Sequence, residues 1–214
     1  MKPRINTILP LAVIAGIALS ASAGAATIVT DFKAPDVYNY SPNHYPEGLA
    51  STIPFAPTQA SPFTFQYDLT GLGLGAADHL QITVASDGGK LVNAGGQGIA
   101  VSTGEFHSWE GSDGPLRFSV VILDAGNVDI TSSYNVDLIG ASLRWVKGAT
   151  TDATFSIAGS EPFSCSPDEN HIQNFMLPAG ETNETAFSAT RNNDSVTQFA
   201  QLVFEIVPKP TSAR

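Results

Sequence analysis

Cysteine is almost missing from this sequence. Cys165 is the only one in 214 residues, so no intrachain disulfide can form and stability has to come from packing. As a nucleophile, that thiol would need a base beside it. The nearest histidine in sequence, His171, belongs to a different polar stretch. Charge is sparse too, at 14% of residues, and cations are the scarcer kind: ten Lys and Arg against twenty Asp and Glu give a formal charge of −10. Such an anion repels nucleic acid and anionic membranes, which excludes both as electrostatic partners. The four histidines, His44, His79, His107 and His171, show no His-x-His or His-Glu-x-x-His spacing, so no zinc site is encoded. No Gly-x-Ser-x-Gly elbow occurs, and Gly71-Leu72-Gly73-Leu74-Gly75 lacks the Lys-Ser/Thr ending of a phosphate loop.

A long apolar run is also lacking. The one apolar stretch, Ile8 to Leu19, is interrupted by Pro10 and Gly16 and falls short of the roughly 20 residues that a spanning helix needs. Lys2 and Arg4 precede it, and Ala21-Ser22-Ala23 or Ala23-Gly24-Ala25 follows with small residues that suit signal peptidase. Residues 1–25 therefore read as a cleavable export signal. No cysteine follows that would carry a lipid. Cleavage removes two basic residues and no acidic one, moving the formal charge from −10 to −12.

Helical periodicity is nearly absent after the signal, and period-two alternation takes its place. Phe63, Phe65, Tyr67 and Leu69 alternate with polar residues, as do Leu80, Ile82 and Val84. The pattern returns in Phe118, Val120 and Ile122, in Leu143 and Trp145, in Ala153, Phe155 and Ile157, and in Leu202, Phe204 and Ile206. Each reads as a strand with one buried face. Asp87-Gly88-Gly89, Asp113-Gly114, Asp124-Ala125-Gly126 and Lys147-Gly148 supply the turns between them. The expectation is all-β: a single antiparallel two-sheet β-sandwich over residues 26–206, jelly-roll-like, followed by a tail at 207–214. Two segments break the rhythm and read as long connections: Lys33 to Pro62, with six of the fourteen prolines, and the polar stretch Gly159 to Asn170.

After the last predicted strand, Gln201–Ile206, comes Val207-Pro208-Lys209-Pro210-Thr211. This run resembles the sorting motif of the bacterial PEP-CTERM proteins, in which Val-Pro-Glu-Pro-(Ser/Thr) precedes a membrane-spanning helix and a basic cluster. Val207, Pro208, Pro210 and Thr211 stand at the motif's positions. Lys209 replaces the glutamate, and no apolar helix follows before Arg214. The resemblance implies an exported protein of the outer surface or surroundings of a Gram-negative-type bacterium, meeting membranes only through its export and sorting machinery. It also implies that the signal is degenerate or this copy truncated. Gly95 to Val101 followed by Pro115-Leu116-Arg117-Phe118 is similar to a hairpin of other sandwich proteins with this ending.

Candidate chemistry is confined to loop-like contexts, where binding residues usually sit on a rigid sandwich. Tyr38, Tyr40, Tyr45 and Trp109 could stack flat rings on sugar faces, which makes extracellular polysaccharide the expected partner. Glu105, Glu110 and Asp113 surround His107 and Trp109 and would serve glycoside hydrolysis if the segment folds back to set two carboxylates about 5 to 9.5 Å apart. Calcium leaves no local spacing rule outside the EF-hand, so Asp31, Asp36, Asp152 and Asp194 stay open as ligands of a structural ion. The resulting expectation is a non-enzymatic exported binding or structural protein. Its alternatives are a small secreted glycan hydrolase and a subunit that self-associates through exposed edge strands.

Overall fold

A computed structural model describes residues 24–32, 48–55, 58–92, 98–102, 114–145, 153–160, 162–165, 172–177, 184–191 and 197–210. These residues form β1 (Ala26–Asp31), β2 (Leu49–Ala50), β3 (Thr58–Gln59), β4 (Phe63–Asp68), β5 (His79–Ser86), β6 (Lys90–Val92), β7 (Ala100–Ser102) and β8 (Leu116–Leu123). A 3-10 turn at Thr131–Ser133 leads into β9 (Tyr134–Trp145), β10 (Ala153–Ile157), β11 (Phe163–Cys165), β12 (Ile172–Met176), β13 (Ala186–Arg191) and β14 (Thr197–Pro208). One sheet runs β12-β9-β14-β1-β2 and a second β11-β10-β13-β8-β5-β4, while β3-β6-β7 make a small third sheet. All pairings are antiparallel except β1 with β2. The two large sheets pack face to face as an all-β sandwich. From β8 onward the chain crosses between them at every connection but the β10–β11 hairpin.

Period-two patterning explains the burial. In β8, Leu116, Phe118, Val120 and Ile122 are buried while Arg117 and Ser119 are exposed. In β5, Leu80, Ile82 and Val84 are buried against the same core. All the described phenylalanines join one network of ring contacts that threads both sheets. It runs from Phe55 and Phe63 through Phe65, Phe32 and Phe118 to Phe199, Phe155, Phe163 and Phe175, with Phe187 and Phe204 branching from Phe118. Edge-to-face rings at about 5 Å, such as Phe32 on Phe65 at 4.9 Å and Phe155 on Phe175 at 5.0 Å, add quadrupole attraction to area burial.

The structure departs from the sequence reading in four places. β14 runs on through Val207 and Pro208, which pair with Asn135 and Tyr134, so the strand takes in the first two residues of the motif. Proline is tolerated there because it sits at a strand end. The stretch from Lys33 to Pro62 contains β2 and β3, and the polar stretch after Gly159 contains β11. Among the described residues, 98–102 do not pair with 115–118 as the expected hairpin would. β7 pairs with β6, whereas β8 pairs with β5 and β13.

One sheet edge is partly covered by the residues that follow β2. Thr52 donates its backbone N–H to Gln66 O at 2.7 Å, and Ser51 Oγ accepts from Gln66 N at 3.2 Å, so part of the outer edge of β4 is occupied.

Candidate functional site

Strand register divides the sandwich into two ends. At the terminal end, Ala26 stands opposite Ile206, Tyr134 opposite Pro208, and His79 opposite Leu123. At the distal end, Asp31 stands opposite Gln201, Trp145 opposite Thr197, and Ser86 opposite Leu116.

The terminal end is closed by two connections, 69–78 and 124–133, each fastened by its own polar residues. Asp68 accepts from the amide and hydroxyl of Thr70, and both bonds hold its carboxyl below the usual carboxylate range. Asp124 Oδ1 accepts from the N–H of Gly126 at 2.8 Å and of Val128 at 2.9 Å, the local bonding for which Asp is favoured in turns. Asp129 is likewise lowered by the hydroxyl and amide of Thr131, and Thr131 Oγ1 in turn accepts from Ile122 N at 2.8 Å. Tyr134 donates its hydroxyl to Leu74 O at 2.6 Å, tying the two connections together. Lys209 donates its N–H to Ser133 O at 2.8 Å and its Nζ to Ser132 O at 3.1 Å. Between the connections lies a cleft of about 610 Å³, lined mainly by glycine and alanine, with Asp78 and Asp124 in its wall. Leu72 and Val128 in these connections are exposed apolar residues.

At the distal end a buried polar row crosses the first sheet. Asp31, 2% exposed, faces Gln201 across the β1–β14 pair, and Gln201 faces Ser142 across β14–β9. Gln201 Nε2 donates to Asp31 Oδ1, Gly48 N donates to Asp31 Oδ2 at 3.2 Å, and Ser142 Oγ donates to Gln201 Oε1 at 3.1 Å. The Asp31 carbonyl accepts from Tyr67 OH at 3.3 Å. Burial pushes the Tyr67 hydroxyl well above the ordinary tyrosine range, and the negative charge of Asp31 adds to the shift. Nearer the rim, Arg117 grips Asp87 with two bonds, Nε to Oδ1 at 2.9 Å and Nη2 to Oδ2 at 2.6 Å. The Arg117 bond lowers the Asp87 carboxyl.

The residues singled out for binding lie outside the described residues, as do most of those singled out for catalysis and metal. Tyr38, Tyr40, Tyr45 and Asp36 belong to 33–47, and Glu105, His107, Trp109, Glu110 and Asp113 to 103–113; Asp152, His171, Asp194 and Thr211 are likewise outside. The residues that flank these internal segments are described, and they gather at the distal end. Phe32 donates its N–H to Ala200 O at 2.9 Å, and Gly48 reaches Asp31. Ser102 pairs with Lys90, just past the end of β5, and Gly114 precedes Leu116, which pairs with Ser86. Trp145 pairs with Thr197, Ala153 with Cys165, and Arg191 with Phe155. Of the metal candidates Asp31 alone is described, and both its carboxylate oxygens are hydrogen-bonded. Among the described residues, no three His, Cys, Asp or Glu side chains come together closely enough to hold a metal ion, and no helix is long and apolar enough to cross a membrane.

Sequence reasoning did not anticipate the terminal cleft. Its only signal was the pair Gly71-to-Gly75 and Asp124-Ala125-Gly126, each read as a separate feature. No family model, no curated protein and no solved structure matches this chain.

Proposed function

We propose that this is an exported, non-enzymatic β-sandwich protein of the cell surface or extracellular matrix that binds polysaccharide at its distal end. Tyr38, Tyr40, Tyr45 and Trp109 supply the stacking rings. One observation carries the reading: the described residues flanking 33–47 and 103–113 lie at the same end of the sandwich, opposite Gly24 and Lys209. Two stretches remote in sequence thus leave and rejoin the sheets at one end, and between them they hold three of the five tyrosines and one of the two tryptophans. An exposed ring contributes a flat apolar face plus a polar handle, the combination that suits the C–H faces and hydroxyls of a sugar. Asp36, Asp152 and Asp194 belong to segments flanked at the same end, so any structural calcium is assigned there.

The motif-like residues Val207, Pro208, Pro210 and Thr211 follow from the opposite end. A surface attachment made there would leave the distal end facing outward.

The test is binding of the mature chain, recovered after export, to an array of bacterial and plant polysaccharides, first with calcium and then with chelator. Saturable binding supports the proposal, and loss with chelator adds the ion. No binding anywhere, combined with concentration-dependent assembly on sedimentation, replaces it with the structural-subunit reading. Release of reducing ends that disappears in Glu105→Gln or Glu110→Gln replaces it with the hydrolase.

A further inference from the structure

Two cuts are open to signal peptidase in the sequence, after Ala23 and after Ala25. We infer that the mature chain begins at Gly24, the residue whose nitrogen the folded domain uses. The inference rests on the export reading.

Gly24 N donates to Gly73 O at 3.2 Å, so the fold engages the chain two residues before β1 begins. The neighbouring carbonyls of that connection are already bonded. Leu69 O accepts from Leu72 N at 3.2 Å, and Leu74 O accepts from Tyr134 OH and from Ala77 N. Gly24 supplies the donor for Gly73, whose φ of +78° favours glycine at that position.

The two cuts place the new positive charge differently. Hydrogen-bonded pairs alternate along an antiparallel ladder. Because Phe32 N bonds Ala200 O and the register is unbroken from Asp31 opposite Gln201 to Ala26 opposite Ile206, Ala26 falls on a bonded rung. A cut after Ala25 therefore turns the nitrogen of the last β1–β14 rung into a hydrated ammonium and discards Gly24. A cut after Ala23 leaves that rung a peptide N–H. The ammonium then sits on Gly24, one of its three donors reaching Gly73 O and the others open to water. Gly73 itself lines the cleft between the two terminal connections.

The experiment is intact-mass measurement and N-terminal sequencing of protein recovered from outside the cells. The expected species starts at Gly24. A species starting at Ala26 overturns the inference while leaving export intact, whereas recovery only of cell-associated chain starting at Met1 overturns the export reading itself. Two substitutions sharpen the test. Ala25→Leu spoils the second cut alone and is expected to leave the Gly24 start unchanged. Ala21→Leu spoils the first alone and is expected to remove the Gly24 species. The opposite pattern, with Ala25→Leu blocking processing and Ala21→Leu harmless, refutes it.

Discussion

The two ends of the sandwich are built by different means. At the terminal end each described connection is fastened by side-chain bonds between near neighbours in sequence, Asp68 with Thr70, Asp124 with Gly126 and Val128, and Asp129 with Thr131, while Tyr134 to Leu74 and Lys209 to Ser132 tie the connections to each other and to the end of β14. At the distal end the contacts are long-range, joining Asp31 to Gln201, Arg117 to Asp87, and Gly98 to Phe199. An end held by contacts between strands remote in sequence can carry varied segments, provided the sheets beneath stay rigid, and that is the arrangement proposed here for binding.

Substitutions separate the two, beginning with the largest effect. Phe199 is fully buried and joins Phe118 of one sheet to Phe155 near the far edge of that sheet. Phe199→Ala is expected to cost about 3–5 kcal/mol in urea unfolding, the range for deleting a large buried ring. A cost below about 1 kcal/mol would mean that the distal end does not depend on this packing. Next comes Gly98→Ala. A Cβ there would meet Phe199 O at 2.4 Å and Phe199 C at 2.9 Å. Because that neighbour is backbone and cannot swing aside, a loss of about 1–3 kcal/mol is expected from overpacking. Gly73→Ala at the terminal end meets nothing within 4 Å and loses only the ease of its positive φ. About 1 kcal/mol is expected from the left-handed backbone of a non-glycine residue. If Gly73→Ala proved costlier than Gly98→Ala, the contrast between the ends would be reversed.

Smaller still are the titrations. Asp68 and Asp129 at the terminal end and Asp87 at the distal end have lowered pKa values when folded. Their contribution is present above the ordinary aspartate value of about 3.9 and is lost as pH falls through the folded values. Acid unfolding curves of Asp68→Asn/Asp129→Asn should therefore be flatter than wild type below about pH 4. Tyr67 works at the opposite limit. Its folded pKa is raised, so above about pH 10 the unfolded chain ionises while the folded one does not, and stability falls. Tyr67→Phe should remove that alkaline slope, and an unchanged slope would place its origin elsewhere.

Much of the fold was legible because the alternation of β4, β5, β8 and β10 is unbroken. The longest strands were only half legible, for a physical reason. In β14 the core residues Phe199 and Leu202 are three apart, and the register shift between Phe199 and Gln201 absorbs the odd residue. β9 shows the same break between Leu138 and Ala141, matched by the shift at Val203 and Phe204. A bulge inserts one residue and flips the phase of the pattern, so reading at period two recovers only one side of it. The β6–β7 pair was missed because strands of three residues are too short for any period. Asp31 was read from its charge as a metal candidate. Its polar row could not be foreseen, because Gln201 and Ser142 come beside it only through the order of the sheet.

The division between the ends is tested most directly by titrating one polysaccharide selected from the array against four proteins: wild type, Tyr40→Ala, Trp109→Ala and Val128→Ser. Val128 is exposed at the terminal end and serves as the control. The two distal variants are expected to weaken binding by about tenfold or more, roughly 1.4 kcal/mol each, with melting temperatures unchanged, while Val128→Ser binds as wild type does. Binding lost in Val128→Ser and kept in Tyr40→Ala and Trp109→Ala would place the ligand at the terminal end and contradict the proposal.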